Sequence, residues 1–223
     1  VNKGKANETT IEQQAELVLE RLYQEQKDKG YVENISQWKD DKAVDGIPKV
    51  MLADKWSAKK HSNLESKDWV LNRKYDGCRC LITKLSDGSI RYSSRSGKLF
   101  VDIPHLTQHL KDRLLVGDIM DGELIIEGEV LQNITGAVMI RDTEDENKAK
   151  LKFYMYDYIP LGRSDSSYNE RFIENKHLYL LTSEHVVYVN PEPYSNDSFK
   201  ETFSKYIEEG YEGIMLRNIN MPY

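Results

Sequence analysis

The sequence predicts an α+β fold of mostly antiparallel sheets with flanking helices. Short strand-like runs dominate the chain after Pro48 and are mixed with a few separate helices, the pattern of an α+β fold. Two of these runs, 79–85 and 90–95, are joined by Ser86-Asp87-Gly88-Ser89, a hairpin signal with Asp-Gly at its centre. Helical periodicity is confined to separate stretches, notably 103–115 and 198–209.

In chain order, residues 10–29 form the first expected element, an amphipathic helix. Ile11, Ala15, Val18 and Leu22 recur at helical spacing, Thr10 with Gln13 resembles a capping box, and Gly30 can end it. From Tyr31 to Gly46 the pattern is weak and acidic, which reads as a connection. Residues 1–46 are therefore expected to be a helical appendage with its linker, and residues 47–223 the main domain. Within that domain 69–74 is expected to be a strand and 103–115 a helix that begins near Pro104 and stops before Gly117. Residues 120–126 and 151–159 are strand candidates, the second rich in Tyr and Phe. The polar run 142–150 reads as a loop or helix start. Phe199, Phe203, Tyr206 and Ile207 share one face of the helix over 198–209, and 213–217 is a last strand. No internal repeat is visible.

Composition sets bounds on function. The 223 residues suffice for one large domain, and 39% hydrophobic with 30% charged residues is an ordinary globular balance. No apolar run reaches the roughly 18 residues of a membrane span, and the N-terminal VNKGKANETT lacks a signal peptide's apolar stretch. A cytoplasmic protein without membrane partners is expected. The two cysteines, Cys78 and Cys80, lie too close in one strand to close a disulfide readily, so free thiols in a reducing compartment are expected. Net charge is −6, yet residues 54–100 hold eleven Lys/Arg against five Asp/Glu, so a locally basic surface sits on an acidic chain.

Within that basic stretch, RKYDGCRC (73–80) packs Lys74, Asp76 and Arg79 around Gly77. A charge cluster on a solvated turn would look the same. A lysine amine becomes a nucleophile only when it loses its proton, and with an ordinary pKa of about 10.4 few are free near neutral pH. Desolvation or neighbouring positive charge, here Arg79 or Arg95, shifts that balance.

The run Lys74-Tyr75-Asp76-Gly77-Cys78-Arg79 resembles the KxDGxR element of the covalent nucleotidyltransferases, the superfamily of ATP-dependent DNA ligases, RNA ligases and capping enzymes. Further elements follow in that family's order: Ser94-Arg95-Ser96-Gly97, Asp121-Gly122-Glu123-Leu124, Phe153-Tyr154-Met155-Tyr156-Asp157 and Glu212-Gly213-Ile214-Met215-Leu216-Arg217. Upstream, Met51-Leu52-Ala53 is similar to the segment before the adenylation domain of phage-type DNA ligases. The resemblance spans roughly 48–220. It implies an ATP-grasp-like adenylation domain acting with ATP and Mg2+ or Mn2+ on nicked double-stranded DNA, as a monomer.

The roles it implies are specific. Lys74 would attack the α-phosphate of ATP and keep AMP as a phosphoamide. Asp76 would orient that lysine, Gly77 would let the backbone approach the nucleotide, and Arg79 would contact ribose and phosphate. Tyr75 would belong to the nucleotide pocket. Glu123 would accept the ribose hydroxyls and Glu212 would hold the metal. Tyr156 would stack on adenine, although the alternation of 153–156 would equally fill two strand faces. Arg95 would bind the 5′-phosphate of the nick. The SRSG run after KYDGxR favours a DNA ligase over an RNA ligase or capping-type enzyme. An intact Lys74, Glu123 and Glu212 argue against a non-catalytic nucleic-acid-binding module.

Two departures qualify this. Many DNA ligases carry a glutamate two residues before the nucleophile to recognise the adenine amino group; Asn72 stands there, and its carbonyl could accept the same hydrogen bond. The family's lysine-rich element and oligonucleotide-binding (OB-fold) barrel do not follow before Met221-Pro222-Tyr223. The expectation is a truncated adenylation domain, lacking the OB-fold domain in cis, that adenylates itself poorly.

Overall fold

The computed structural model describes residues 3–5, 8–28, 33, 50–57, 64 and 66–223. The expected connection over 31–46, the stop at Gly30 and the boundary at 46/47 lie outside the described residues. Helix α1 (Ile11–Asp28) forms where its spacing placed it. Its start is a reciprocal capping box: the Thr10 amide donates to Gln13 Oε1 at 2.9 Å, and the Gln13 amide to Thr10 Oγ1 at 3.1 Å. Ile11, Val18 and Leu22, the apolar side of this helix, are exposed.

The strands form two sheets. In the smaller, β1 (Trp69–Lys74) lies between β7 (Glu192–Pro193) and β8 (Gly213–Asn218). The larger runs β3-β2-β4-β5-β6, with β2 (Cys78–Lys84), β3 (Ile90–Ser94), β4 (Ile119–Ile125), β5 (Lys152–Ile159) and β6 (Val186–Tyr188). The named strands pair antiparallel except β5 with β6, which is parallel, so the mostly antiparallel expectation holds. The β2–β3 hairpin closes through Gly88 at φ 85°, and the Asp87 carboxylate accepts from the Ser89 amide at 2.9 Å, a bond that only a short acceptor side chain at this place can make.

The helices departed more from expectation. Helix α2 (Pro104–Leu110) is shorter than 103–115, because the Arg113 and Leu114 amides both fold back on the Leu110 carbonyl and turn the chain. Helix α3 (Leu131–Met139) had no sequence signal at its start, where Val130 offers no capping side chain. Helix α4 (Glu146–Ala149) resolves the polar run, capped by Asp145. A short π-helix (Asn169–Ile173), then α5 (Leu178–Leu181) and α6 (Phe199–Glu208) follow. Of the apolar face expected on α6, only Tyr206 is buried; Phe203 and Ile207 are exposed, because this helix packs against the small sheet at Tyr206, over Arg73. No helix of the described residues is long and apolar enough to cross a membrane.

The larger sheet uses its two faces differently. Cys80, Ile82, Met120, Leu124, Phe153 and Met155 join Leu106, Leu110, Ile134, Val138 and Phe172 in the main core. On the opposite face Leu81, Ile119 and Ile159 pack with Val50 and Tyr223. A β-bulge changes which side chains of β5 reach which face. Asp121 pairs with Asp157 but Gly122 with Met155, which leaves Tyr156 as the extra residue. Before the bulge Phe153 and Met155 face the core; after it Tyr158 does, and Asp157 and Ile159 turn outward.

Candidate active site

The face of β1 that carries Val70, Asn72 and Lys74 looks toward the larger sheet. Strand alternation puts the three on one side; Val70 packs on the main core, and Arg217, paired with Val70 across β8, reaches Asp157 on β5. The other side sends Arg73 to the Tyr206 ring at 4.4 Å and to Glu192 at 2.7 Å. A cleft therefore lies between the sheets, lined by β1 and β8 on one wall and by the outward residues of β2, β4 and β5 on the other.

At one end of this cleft Lys74 ends β1 and Glu212 immediately precedes β8. The Glu212 amide donates to the Lys74 carbonyl at 2.9 Å, and their side chains form an ion pair, both partly exposed. The lysine's partner is thus Glu212 rather than the neighbouring cations expected to repel its proton. Asp76 is exposed and, among the described residues, makes no ion pair with Lys74; the carboxylate against the lysine is that of Glu212. Tyr75 packs on Tyr154 at 4.8 Å and edge-on to Tyr211 at 5.3 Å, which ties the turn after β1 to the segment carrying Glu212. Burial, then the Tyr211 charge, pushes the Tyr75 hydroxyl up to about 12, so it stays protonated.

Arg79 crosses the cleft floor. Its Nε and Nη2 donate to the two Asp121 oxygens at 3.1 and 2.7 Å, and Nη1 donates to the Met51 carbonyl at 2.8 Å. Burial alone would lower an arginine's pKa, but the hydrogen bonds and charge of Asp121 outweigh it and hold Arg79 cationic. Tyr223 Oη also donates to Asp121 Oδ2, at 2.8 Å. Asp121 and Met51 were part of recognised runs without an assigned role; the structure makes them the clamp on Arg79. Arg217 was missed likewise. Its guanidinium stands 4.6 Å from the Tyr168 ring and 5.7 Å from that of Tyr156, while Nη1 bonds Asp157 at 2.5 Å.

Glu123 and Tyr156 meet on the β4–β5 wall, where Tyr156 Oη donates to Glu123 Oε2 at 3.5 Å. Burial pushes the Tyr156 hydroxyl well above its ordinary value, so it remains a donor. Gly77 was expected to admit a nucleotide. What its missing side chain admits is β4: a Cβ there would lie 2.6 Å from Glu123 Cγ and 2.7 Å from the Leu124 carbonyl. Arg95 is exposed in the turn after β3 and forms no ion pair among the described residues. That turn is ordered by the Gly97 amide on the Ser94 carbonyl at 2.9 Å and the Lys98 amide on Ser94 Oγ at 3.0 Å. Cys78 and Cys80 are free thiols, and burial pushes Cys78 up to about 11.

Burial also pushes the Glu123 carboxyl up to about 7, with Arg79 and Lys74 pulling down and Asp121 pushing up. The folded chain therefore keeps this proton to about pH 7, whereas the unfolded chain loses it near 4.5. Between those values the native state binds more protons, so stability falls as pH rises, by at most about 3 kcal/mol. In paired denaturant titrations, Glu123→Gln is expected to gain on the wild type across this window. A gap between the two that does not change with pH would count against burial as the cause.

Among the described residues no group of three His, Cys, Asp or Glu side chains is placed to hold a metal. A divalent cation at Glu212 would take its other ligands from phosphate oxygens and water, which suits magnesium.

Comparison with known proteins bears on this cleft. The family described as ATP dependent DNA ligase domain matches residues 50–223. A DNA ligase of African swine fever virus is 31% identical over 166 residues, covering 71% of this chain and 38% of the relative. Two solved structures share the fold. The Chlorella virus DNA ligase-adenylate has a TM-score of 0.54 at 24% identity, covering 70% of this chain and 56% of the other. The ATP-dependent DNA ligase of bacteriophage T7 in complex with ATP has 0.57 at 20%, covering 70% and 58%. The chain spans about two fifths of the length of the curated relatives it matches. Because the family match takes in every residue of the cleft and well over half of the sequence, the chain belongs to the ATP-dependent DNA ligase family and carries its adenylation domain.

Proposed function

We propose that this domain performs the covalent nucleotide chemistry of DNA joining, with Lys74 as nucleophile. Lys74 Nζ attacks the α-phosphate of ATP. A P–N bond forms, the bond from that phosphorus to the bridging oxygen of the β-phosphate breaks, and pyrophosphate leaves. The lysine proton passes to water, which reaches the partly exposed end of the Lys74 side chain. AMP then passes to the 5′-phosphate of a nick in double-stranded DNA, and the adjacent 3′-hydroxyl displaces it to seal the strand.

The observation that carries this reading is the placing of Lys74 at the mouth of a cleft whose opposite wall presents a carboxylate, Glu123, beside an aromatic ring, Tyr156. A sugar and a base entering beyond the lysine meet an acceptor for hydroxyls and a flat apolar face. Arg79, clamped by Asp121, supplies fixed positive charge to the phosphate without having to be ordered on binding. Arg95, on its ordered turn, offers a fork of donors to the 5′-phosphate. Glu212 would be the protein carboxylate that holds a nucleotide-bound Mg2+ or Mn2+, which would supply charge neutralisation on the leaving pyrophosphate. The free, high-pKa thiols suit a reducing, intracellular setting.

Incubation with magnesium and ATP labelled in the α-phosphate, followed by peptide mapping, tests the first step. Label is expected on the peptide holding Lys74 and not from GTP; on adding nicked substrates it is expected to move to DNA rather than RNA. Label from GTP would point to a capping-type enzyme, and transfer to RNA alone to an RNA ligase.

A further inference from the structure

Glu212 has to present its carboxylate at the mouth of the cleft, yet it is exposed, and burial does not fix its side chain. The ion pair with Lys74 holds it in the resting chain. A lysine attacks phosphorus only as the neutral amine, so that ion pair is lost when the carboxylate has to meet a nucleotide-bound cation. What keeps Glu212 in place at that moment is the backbone that carries it.

That backbone is the turn over 209–212, which joins α6 to β8. Gly210, at φ 89°, ends the helix with its amide on the Ile207 carbonyl at 3.0 Å, and the Glu212 amide is tied to the Lys74 carbonyl. Between them sits Tyr211, half-buried, with its amide on the Tyr206 carbonyl at 3.0 Å. The Tyr211 ring meets Tyr75 edge-on at 5.3 Å, Tyr206 at 6.0 Å and the Arg73 guanidinium at 5.4 Å. Arg73 is itself fixed, by Glu192 at 2.7 Å and Glu209 at 3.5 Å. Arg73 and Tyr75 are the chain neighbours of Lys74, and Tyr211 is the chain neighbour of Glu212. The residues flanking the nucleophile thus grip the residue beside the carboxylate. Edge-to-face rings and a cation over a ring have preferred geometries, so these contacts set a distance as well as burying surface.

We propose that Tyr211 is a positioning residue whose ring, held by Arg73 and Tyr75, fixes Glu212 for the cation that accompanies ATP. This rests on the reading above that Glu212 holds that cation. Tyr211 acts through Glu212 and not on the nucleotide, and it acts through its ring, which phenylalanine also provides.

Calorimetry with an ATP analogue that carries a methylene group between its α- and β-phosphates tests this without turnover, since pyrophosphate cannot leave. Affinity is measured once with Mn2+ and once with EDTA, and the ratio of the two gives the metal's share of binding. In Tyr211→Leu the ratio is expected to fall roughly tenfold, the scale on which residues supporting a metal ligand act, with the affinity in EDTA unchanged. Tyr211→Phe should keep the wild-type ratio. Arg73→Lys, which retains a charge for Glu192 but loses the flat guanidinium, should lower it. A wild-type ratio in Tyr211→Leu or, should that chain fail to fold by circular dichroism, in Arg73→Lys overturns the proposal. So does a ratio that falls as far in Tyr211→Phe, or an equal loss of affinity with and without metal. Glu212→Gln separates the two readings. If it keeps the wild-type ratio, Glu212 does not hold the cation and this inference falls with that reading; if it lowers the ratio while Tyr211→Leu does not, the positioning role alone falls.

Discussion

Lys74→Ala is expected to abolish covalent AMP completely while leaving a folded chain that still binds ATP. The attack on phosphorus has no substitute nucleophile once the amine at the mouth of the cleft is gone, so loss should be to background rather than partial. The fold should tolerate the change. What it removes is an ion pair between partly exposed groups, worth about 1 kcal/mol or less. Arg79 on Asp121, and Tyr156 on Glu123, make no use of Lys74, so the rest of the cleft should keep its shape. Intact-mass measurement after incubation with ATP and magnesium reads the result directly: one added adenylate on the wild type, none on the variant. Lys98→Ala, altering an exposed lysine in the turn after β3, serves as control and should adenylate as the wild type does. An adduct that persists in Lys74→Ala would mean that the nucleophile lies elsewhere.

Asp157→Ala is expected to be the most destabilising single change near the cleft, by about 3–5 kcal/mol. Asp157 is fully buried and receives two guanidiniums, Arg171 at 2.9 Å and Arg217 at 2.5 Å. Arg171 is itself 1% exposed, and its remaining bond goes to the Ser166 carbonyl. Removing the carboxylate leaves the fully buried Arg171 and the largely buried Arg217 without their counter-charge. For a chain of this size that corresponds to a melting temperature lower by roughly 10 °C or more. The effect should extend to function, because Tyr156 is the bulge residue next to Asp157 and Arg217 lies over its ring. Asp157→Asn, which keeps the shape and loses the charge, should fall between. Thermal melts of the three chains settle the order, and an Asp157→Ala chain that melts with the wild type would show that the network is dispensable.

Much of the local structure was legible because its cause is local. The capping box of Thr10 and Gln13, the Asp87-Gly88 turn, and the strand over 69–74 depend on residues within a few positions of one another, and each formed as its chemistry required. Helix α3 was not legible: Val130 provides no cap to mark its start, and burial of Ile134 and Val138 holds it instead. Strands β6 and β7 are too short for periodicity to register and exist only through their pairing with β5 and β1.

The candidate site divides in the same way. The residue types that a nucleotide demands, Lys74, Arg79, Glu123, Tyr156 and Glu212, were marked by the order and spacing of short runs along the chain. Their partners were not, since Met51 to Arg79, Asp121 to Tyr223 and Asp157 to Arg217 are joined across 28 to 102 positions. The aromatic run over 153–158 shows the limit most plainly. Strict alternation would send Tyr154, Tyr156 and Tyr158 to one side, yet the bulge keeps Tyr156 with Glu123 and turns Tyr158 into the core. Residue order along the chain was enough to point to the family. Which side chains face the cleft and which hold each other depend on the folded arrangement, because strand register and burial arise from pairing distant segments.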